Sequence, residues 1–210
     1  MSRPLVAVLD YGIGNLHSAA KALQVVGADA RLVTDPADAR RADAVVLPGV
    51  GAFGACMDAL RAAGLETVVR ESVESGRPFL GICVGMQMLF SSSEEDPLHT
   101  GLDIIPGIVR WIPAGVKRPQ MQWNRLVFTR PDPMFAGPDL ADATEGSWVY
   151  FVHSLHGVPV DADSVVATCD YGGPLNVAFR SANVFATQFH PEKSGRSGLA
   201  LLANFVGAVS

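Results

Sequence analysis

Charge and cysteine are both scarce in this sequence. Asp, Glu, Lys and Arg make up 18% of 210 residues, and 21 acidic side chains outnumber 16 basic ones, for a net charge of −5. A chain with a negative surplus and no basic block is poorly suited to neutralising a phosphate backbone, so nucleic acid is not an expected partner. No run of about 18 uninterrupted apolar residues occurs, so no membrane-spanning helix is expected. The opening Met1-Ser2-Arg3-Pro4 carries one positive charge, and no small-residue cleavage site follows its short apolar run, so no signal peptide is expected. The cysteines are Cys56, Cys83 and Cys169. Their odd number and wide spacing exclude a disulfide framework and any Cys-x-x-Cys pair for zinc or redox work. Free thiols suit a reducing, cytoplasmic setting, and the sequence calls for no metal or cofactor. What the chain does have is material for a core: 49% of its residues are apolar, and 21 Gly with 14 Pro supply many tight turns.

The length suits a single domain over residues 1–210. The first half alternates strand and helix. Leu5 to Leu9 is too continuously apolar for a half-exposed strand and reads as a buried parallel one. Residues 15–26 place apolar side chains at helical spacing and close at Gly27. Strands are predicted over 30–34, 44–47 and 78–82, and helices over 54–63, 65–75 and from Val84 to Phe90. That alternation implies an α/β fold, a parallel sheet covered on both faces. After about residue 107 short apolar runs follow one another with turn signals between: 108–112, 126–129, 149–153, 165–169, 176–179 and 184–189. This is meander grammar and predicts an antiparallel annex. Residues 131–146, rich in Pro, Gly, Asp and Ala, are expected to form a surface excursion, and Leu199 to Val209 a closing helix.

The chemistry concentrates in three places. In Gly81-Ile82-Cys83-Val84-Gly85, glycines stand two residues either side of a cysteine between a strand and a helix. Such a turn thrusts the central side chain out, and the helix start favours a thiolate. A packing cysteine in a Gly-rich turn is the alternative the pattern leaves open. In His190-Pro191-Glu192, proline keeps His190 extended, so Glu192 two residues on lies on the same side and can orient the ring. That is the base-plus-orienter logic of a triad, although an ordinary turn has the same spelling. Pro48-Gly49-Val50-Gly51 follows a buried strand, and its glycines would let the Val50 N–H face the site. With the Val84 N–H it would form an oxyanion hole, the alternative being a plain strand-to-helix turn. Cys56 and Cys169 read as packing residues, and His17, His99 and His156 have no evident partner.

Taken together these residues resemble the class I glutamine amidotransferases, Cys-His-Glu glutaminases on a flavodoxin-like, mostly parallel sheet. Three further segments, Asp10-Tyr11-Gly12-Ile13-Gly14-Asn15-Leu16, Tyr150-Phe151-Val152-His153-Ser154 and Phe189 to Gly195, are similar within that family to glutaminase subunits of imidazole glycerol phosphate synthase. The resemblance runs from about residue 5 to residue 208. It implies Cys83, His190 and Glu192 as triad, L-glutamine as substrate, Gly51, Gln87 and Glu95 around it, and Asn15, Trp123 and Lys193 near a partner. It implies that the partner is a (β/α)8-barrel cyclase that consumes the ammonia in histidine biosynthesis, and that the chain alone is nearly silent. Glu95 also reads as a solvated acid of the polar stretch Ser91 to Asp96, and Lys193 as an ordinary surface lysine. One departure stands out. Family members carry His-Met-Gly-Trp-Asn where this chain has Gln120-Met121-Gln122-Trp123-Asn124, a stretch expected towards the partner. The open alternatives are a glutaminase serving another synthase, a stand-alone cysteine hydrolase, and a non-catalytic binding subunit on the same fold.

Overall fold

The fold is taken from a computed structural model, which describes residues 3–140 and 147–209. In chain order the elements are β1 (Leu5–Leu9), α1 (Leu16–Val25), β2 (Asp29–Val33), α2 (Pro36–Arg40), β3 (Ala44–Gly49), α3 (Phe53–Ala62), α4 (Glu66–Glu74), β4 (Phe79–Cys83) and α5 (Val84–Gln87). They continue as β5 (Phe90–Ser93), β6 (Ile105–Trp111), β7 (Gln120–Arg125), β8 (Val127–Phe128), β9 (Trp148–His153), β10 (Leu155–Pro159), β11 (Val165–Asp170), β12 (Pro174–Ser181), β13 (Val184–Thr187) and α6 (Gly195–Gly207).

The main sheet has the order β2-β1-β3-β4-β13-β12-β11-β8. The pairs from β2 to β13 are parallel, and those from β13 outward to β8 are antiparallel. β3 and β4 are buried along their whole length, which is why they read as unbroken apolar runs. The expected annex is thus largely an extension of the central sheet: β13 returns from the meander and lies beside β4. Two small sheets sit apart, β10-β6-β5 and β7-β9.

The chain turns to opposite sides after β1, with β2 on one flank and β3 on the other, so the sheet has a topological switch point there. In open α/β sheets ligands bind at the carboxyl ends of strands at such a point. The turns after β1, β3, β4 and β13 all open on that edge.

Several local expectations need correction. The helix expected over Val84 to Phe90 stops at Gln87, and Phe90 opens β5, which pairs in parallel with β6. Phe90 is buried against Phe179, ring centroids 5.2 Å apart, a contact remote in sequence that favours the strand there. The sequence reading also missed α2, β7 and β10. Within the expected 131–146 surface excursion, the described part is exposed at Pro131, Pro133 and 136–139 and is also anchored. Met134, Phe135 and Leu140 are buried, and Arg180 holds Asp132 through two N–H···O contacts of 2.9 and 2.6 Å. The remainder, 141–146, lies outside the described residues.

Candidate active site

Cys83 ends β4 with φ 55, in the left-handed region that a residue with a side chain rarely adopts. The strain sits on the cysteine itself, not on its flanking glycines. Gly85 has a different task. A Cβ there would lie 1.9 Å from the Leu47 carbonyl oxygen, so only glycine lets the first turn of α5 press against β3. The elbow therefore aims the sulfur over the strand ends while Gly49 of β3 pairs with Cys83 alongside.

His190 follows β13 in extended conformation (φ −99, ψ 95), and its Nδ1 lies 2.8 Å from Glu192 Oε1. Both side chains are 2% exposed. Burial works to lower the His190 pKa, but Cys83 and Glu192 act in opposition and hold it well above the ordinary imidazole value. The ring is therefore an imidazolium near neutral pH, with a proton on Nδ1 for Glu192 and one on Nε2. His190 Nε2 is buried without an aligned hydrogen-bond partner, while Cys83 acts on the ring closely enough to help raise its pKa.

Cys83 and His190 line one cavity of about 250 Å³, shared with Val50, Gly51, Val84, Gln87, Glu95 and the stretch from Val152 to Leu155. That volume is below the roughly 300–1,000 Å³ of drug-sized sites and suits a ligand the size of an amino acid. Gly51 turns the chain at φ +90 on the cavity rim. The Cys56 thiol, whose pKa burial pushes up to about 11, stays protonated and donates to the Val50 carbonyl at 3.3 Å. Cys169 is likewise buried, its thiol pushed up to about 12 by burial, and its sulfur accepts a 3.9 Å contact from Gln120 Nε2.

Glu95 is not a freely solvated acid: its Oε2 accepts the Phe53 N–H at 2.8 Å, at the start of α3, while the side chain borders the cavity. Gln87 is 3% exposed, and its amide donates to Gln188 Oε1 at 3.0 Å. Gln188 in turn donates to Cys83 Sγ at 3.7 Å. Sequence reasoning missed Gln188, although its place two residues before His190 on the same strand end was a signal. It missed the partners of His99 too: Nε2 lies 3.0 Å from Asp58 and Nδ1 2.7 Å from Asp96, and hydrogen bonds to Asp96 and Asp58 raise its pKa.

In the departing segment Gln120 is fully buried, with Oε1 2.9 Å from His153 Nε2. His153 Nδ1 lies 2.7 Å from the Leu155 carbonyl, and burial lowers the His153 pKa to about 4, so this cavity-lining ring is neutral. Met121 and Trp123 on the same strand are 62% and 48% exposed. Trp123 sits edge-on to Tyr150 at 6.1 Å, and Lys193 is exposed on the short helix Pro191–Lys193 beside Glu192. Asn15 belongs to the same neighbourhood, since its Nδ2 donates to Glu192 Oε1 at 3.2 Å. The three residues expected near a partner therefore all flank the His190–Glu192 segment. Among the described residues no cluster of His, Cys, Asp and Glu is arranged to hold a metal ion.

The family model of the class I glutamine amidotransferases matches residues 7–209. The imidazole glycerol phosphate synthase subunit HisH of Syntrophotalea carbinolica is 50% identical over 208 residues, covering 96% of this chain and 98% of that one. The subunit of the same name from Methanothermobacter thermautotrophicus is 48% identical over 202 residues, with coverage of 96% and 98%. The solved structure of PurLQS from Thermotoga maritima superposes with a TM-score of 0.74 at 20% identity, covering 99% of this chain and 100% of that one. A crystal structure of a glutamine amidotransferase gives 0.73 at 21% identity, with coverage of 96% and 98%. Likeness at that identity speaks for the fold alone.

Proposed function

Since the chain belongs to the class I glutamine amidotransferases, we propose that its cavity is a glutaminase site in which Cys83, His190 and Glu192 form the triad. The chain acts as the glutaminase subunit of an imidazole glycerol phosphate synthase, in histidine biosynthesis. The observation that carries the assignment of the site is the meeting of a strained cysteine and a carboxylate-held imidazolium at one small cavity.

The mechanism follows from those groups. The Cys83 thiolate attacks the side-chain carboxamide carbon of glutamine, and the carbonyl electrons move to oxygen. N–H groups of Val84 and Val50 hold that oxyanion. As the tetrahedral adduct collapses, His190 gives its Nε2 proton to the departing nitrogen, ammonia leaves, and a thioester remains. His190, now neutral, takes a proton from water, which opens the thioester to glutamate and restores the thiolate. Glu192 keeps the ring in place throughout. Gln188, by donating to the sulfur, helps to hold it in place over the cavity. Gly51, Gln87 and Glu95 surround the substrate, with the Glu95 carboxylate suited to its ammonium group.

A synthase subunit needs a partner that uses the ammonia. We read that partner as a (β/α)8-barrel cyclase, contacted through Asn15, Trp123 and Lys193, whose grouping around the short helix Pro191–Lys193 supports the reading. The chain is read as one amidotransferase domain over 1–210 acting in the cytoplasm, consistent with three free thiols. No described helix is long and apolar enough to cross a membrane.

Cys83→Ala tests the site directly. In the complex it should lower glutamine-dependent synthesis by at least roughly 1,000-fold while leaving synthesis from added ammonia intact. Equal loss of both would make Cys83 structural. The chain without its partner should hydrolyse glutamine far more slowly than the loaded complex, because the Val50 peptide can turn on its flanking glycines; full turnover by the isolated chain would contradict this.

A further inference from the structure

Asn15 stands at the N-cap position of α1, where Asn is among the strongest capping residues. Its side chain makes no capping hydrogen bond there. It donates instead to Glu192 Oε1 at 3.2 Å, across 177 positions of sequence. Apart from His190, Asn15 is the one donor to the Glu192 carboxylate among the described residues.

Four residues earlier in the same turn, Tyr11 is 6% exposed. Burial keeps its phenol protonated, so the hydroxyl is a donor, and it donates to the Pro48 carbonyl at 2.6 Å. Contact with the strand that leads to Val50 is close. A Cβ added at Gly49 would lie 2.8 Å from the Tyr11 oxygen and 2.6 Å from the Gly85 nitrogen. Between these two anchors Gly12 and Gly14 take φ of +84 and +153, and Asp10 accepts the Gly12 N–H at 3.0 Å, which holds the turn tight. Neither Tyr11 nor Asn15 lines the cavity.

We propose that the turn 10–15 is a positioning clamp joining the two halves of the site: Tyr11 holds the Pro48–Gly51 strand, and Asn15 holds the carboxylate that orients His190. The clamp rests on the glutaminase reading of the cavity. Tyr11 and Asn15 are positioning residues, acting on reacting groups through Pro48 and Glu192. Both contacts leave one short turn at the end of β1, so the oxyanion strand and the triad share a common support.

The test uses the complex with its partner subunit, L-glutamine and ammonia as alternative substrates, and the variants Tyr11→Phe, Asn15→Leu and Asn15→Asp. Tyr11→Phe removes only the hydroxyl. Asn15→Asp keeps N-cap competence but sets a carboxylate against Glu192, so it separates capping from clamping. Assayed with the partner subunit in saturating excess, each variant is expected to lower kcat for glutamine hydrolysis by roughly 10- to 100-fold, and in Tyr11→Phe KM and ammonia-dependent synthesis stay within about twofold of the parent. Parental kcat in Asn15→Asp, or in Tyr11→Phe, would overturn the proposal, as would an equal fall in ammonia-dependent synthesis by Tyr11→Phe. Parent and Cys83→Ala complexes run alongside report on the glutaminase reading itself. Its failure appears as a parent without glutamine-dependent turnover, a result distinct from parental rates in the clamp variants.

Discussion

Two imidazoles at the cavity carry different charge: His190 is held as imidazolium, whereas burial keeps His153 neutral with a single ring N–H. Both imidazoles are buried beside the same space, yet their environments push them in opposite directions. Glu192 and Cys83 hold His190 charged, whereas His153 meets only a carbonyl and an amide. Glu192→Gln keeps the shape but removes the anion, so it should move the alkaline limb of the glutaminase pH–rate profile to lower pH; an unmoved limb would mean that Glu192 does not set the His190 proton. His153 carries a stability consequence. Its folded pKa of about 4 lies below the 6.5 of the unfolded chain. The unfolded state therefore binds the extra proton between those values. The stability contribution of a neutral His153 is complete above pH 6.5 and is lost progressively as pH falls towards 4, by up to about 3 kcal/mol. Urea unfolding at a series of pH values should show His153→Asn losing less stability than the parent over that window.

At the scale of elements, the elbow between β4 and α5 and the neighbouring turn after β3 separate two uses of glycine. Gly85 is needed for space, because the Leu47 carbonyl oxygen would lie 1.9 Å from a Cβ placed there. Gly51 is needed for conformation, with φ +90 and open space around it. Gly85→Ala should cost at least about 2 kcal/mol in unfolding free energy, since backbone must move. Gly51→Ala should cost about 1–2 kcal/mol and act mainly on glutamine turnover, through the Val50 peptide. Chemical denaturation of both variants, compared with kcat, checks the contrast. The same elbow marks how far local patterning reaches. The turn after Cys83 suggested a helix from Val84 to Phe90, but β5 begins at Phe90, which packs against Phe179 and Gly157, contacts remote in sequence. Conversely β3 and β4 were legible, because a strand buried on both faces has to be apolar throughout.

For the molecule as a whole, the exposed aromatics are concentrated on the small β7-β9 sheet and nearby. Trp123 and Trp148 are 48% and 50% exposed, Met121 is 62% exposed, and Trp111 lies under Arg118 at 5.8 Å. Aromatic anchors of this kind dominate protein interfaces. Trp123→Ala should weaken binding of the partner subunit by roughly 10- to 100-fold in Kd while leaving the unfolding midpoint near that of the parent, as titration calorimetry and denaturation would report. On β7 Met121 and Trp123 are exposed, whereas Gln120 is buried. Gln120 opens the strand at its buried end, where its side chain turns inward and meets His153.

The amino-acid sequence alone determined the parallel half of the sheet, the elbow at Cys83 and the His190–Glu192 pair. Each depends on neighbours within a few residues: apolar runs, glycine spacing, a proline that keeps the chain extended. Only the tertiary structure decided that β13 lies beside β4, that Gln188 reaches the sulfur of Cys83, and that Tyr11 and Asn15 bind to opposite halves of the site. Those contacts join residues tens to more than a hundred positions apart, and a linear pattern carries no record of which distant donors and acceptors the packed core brings face to face.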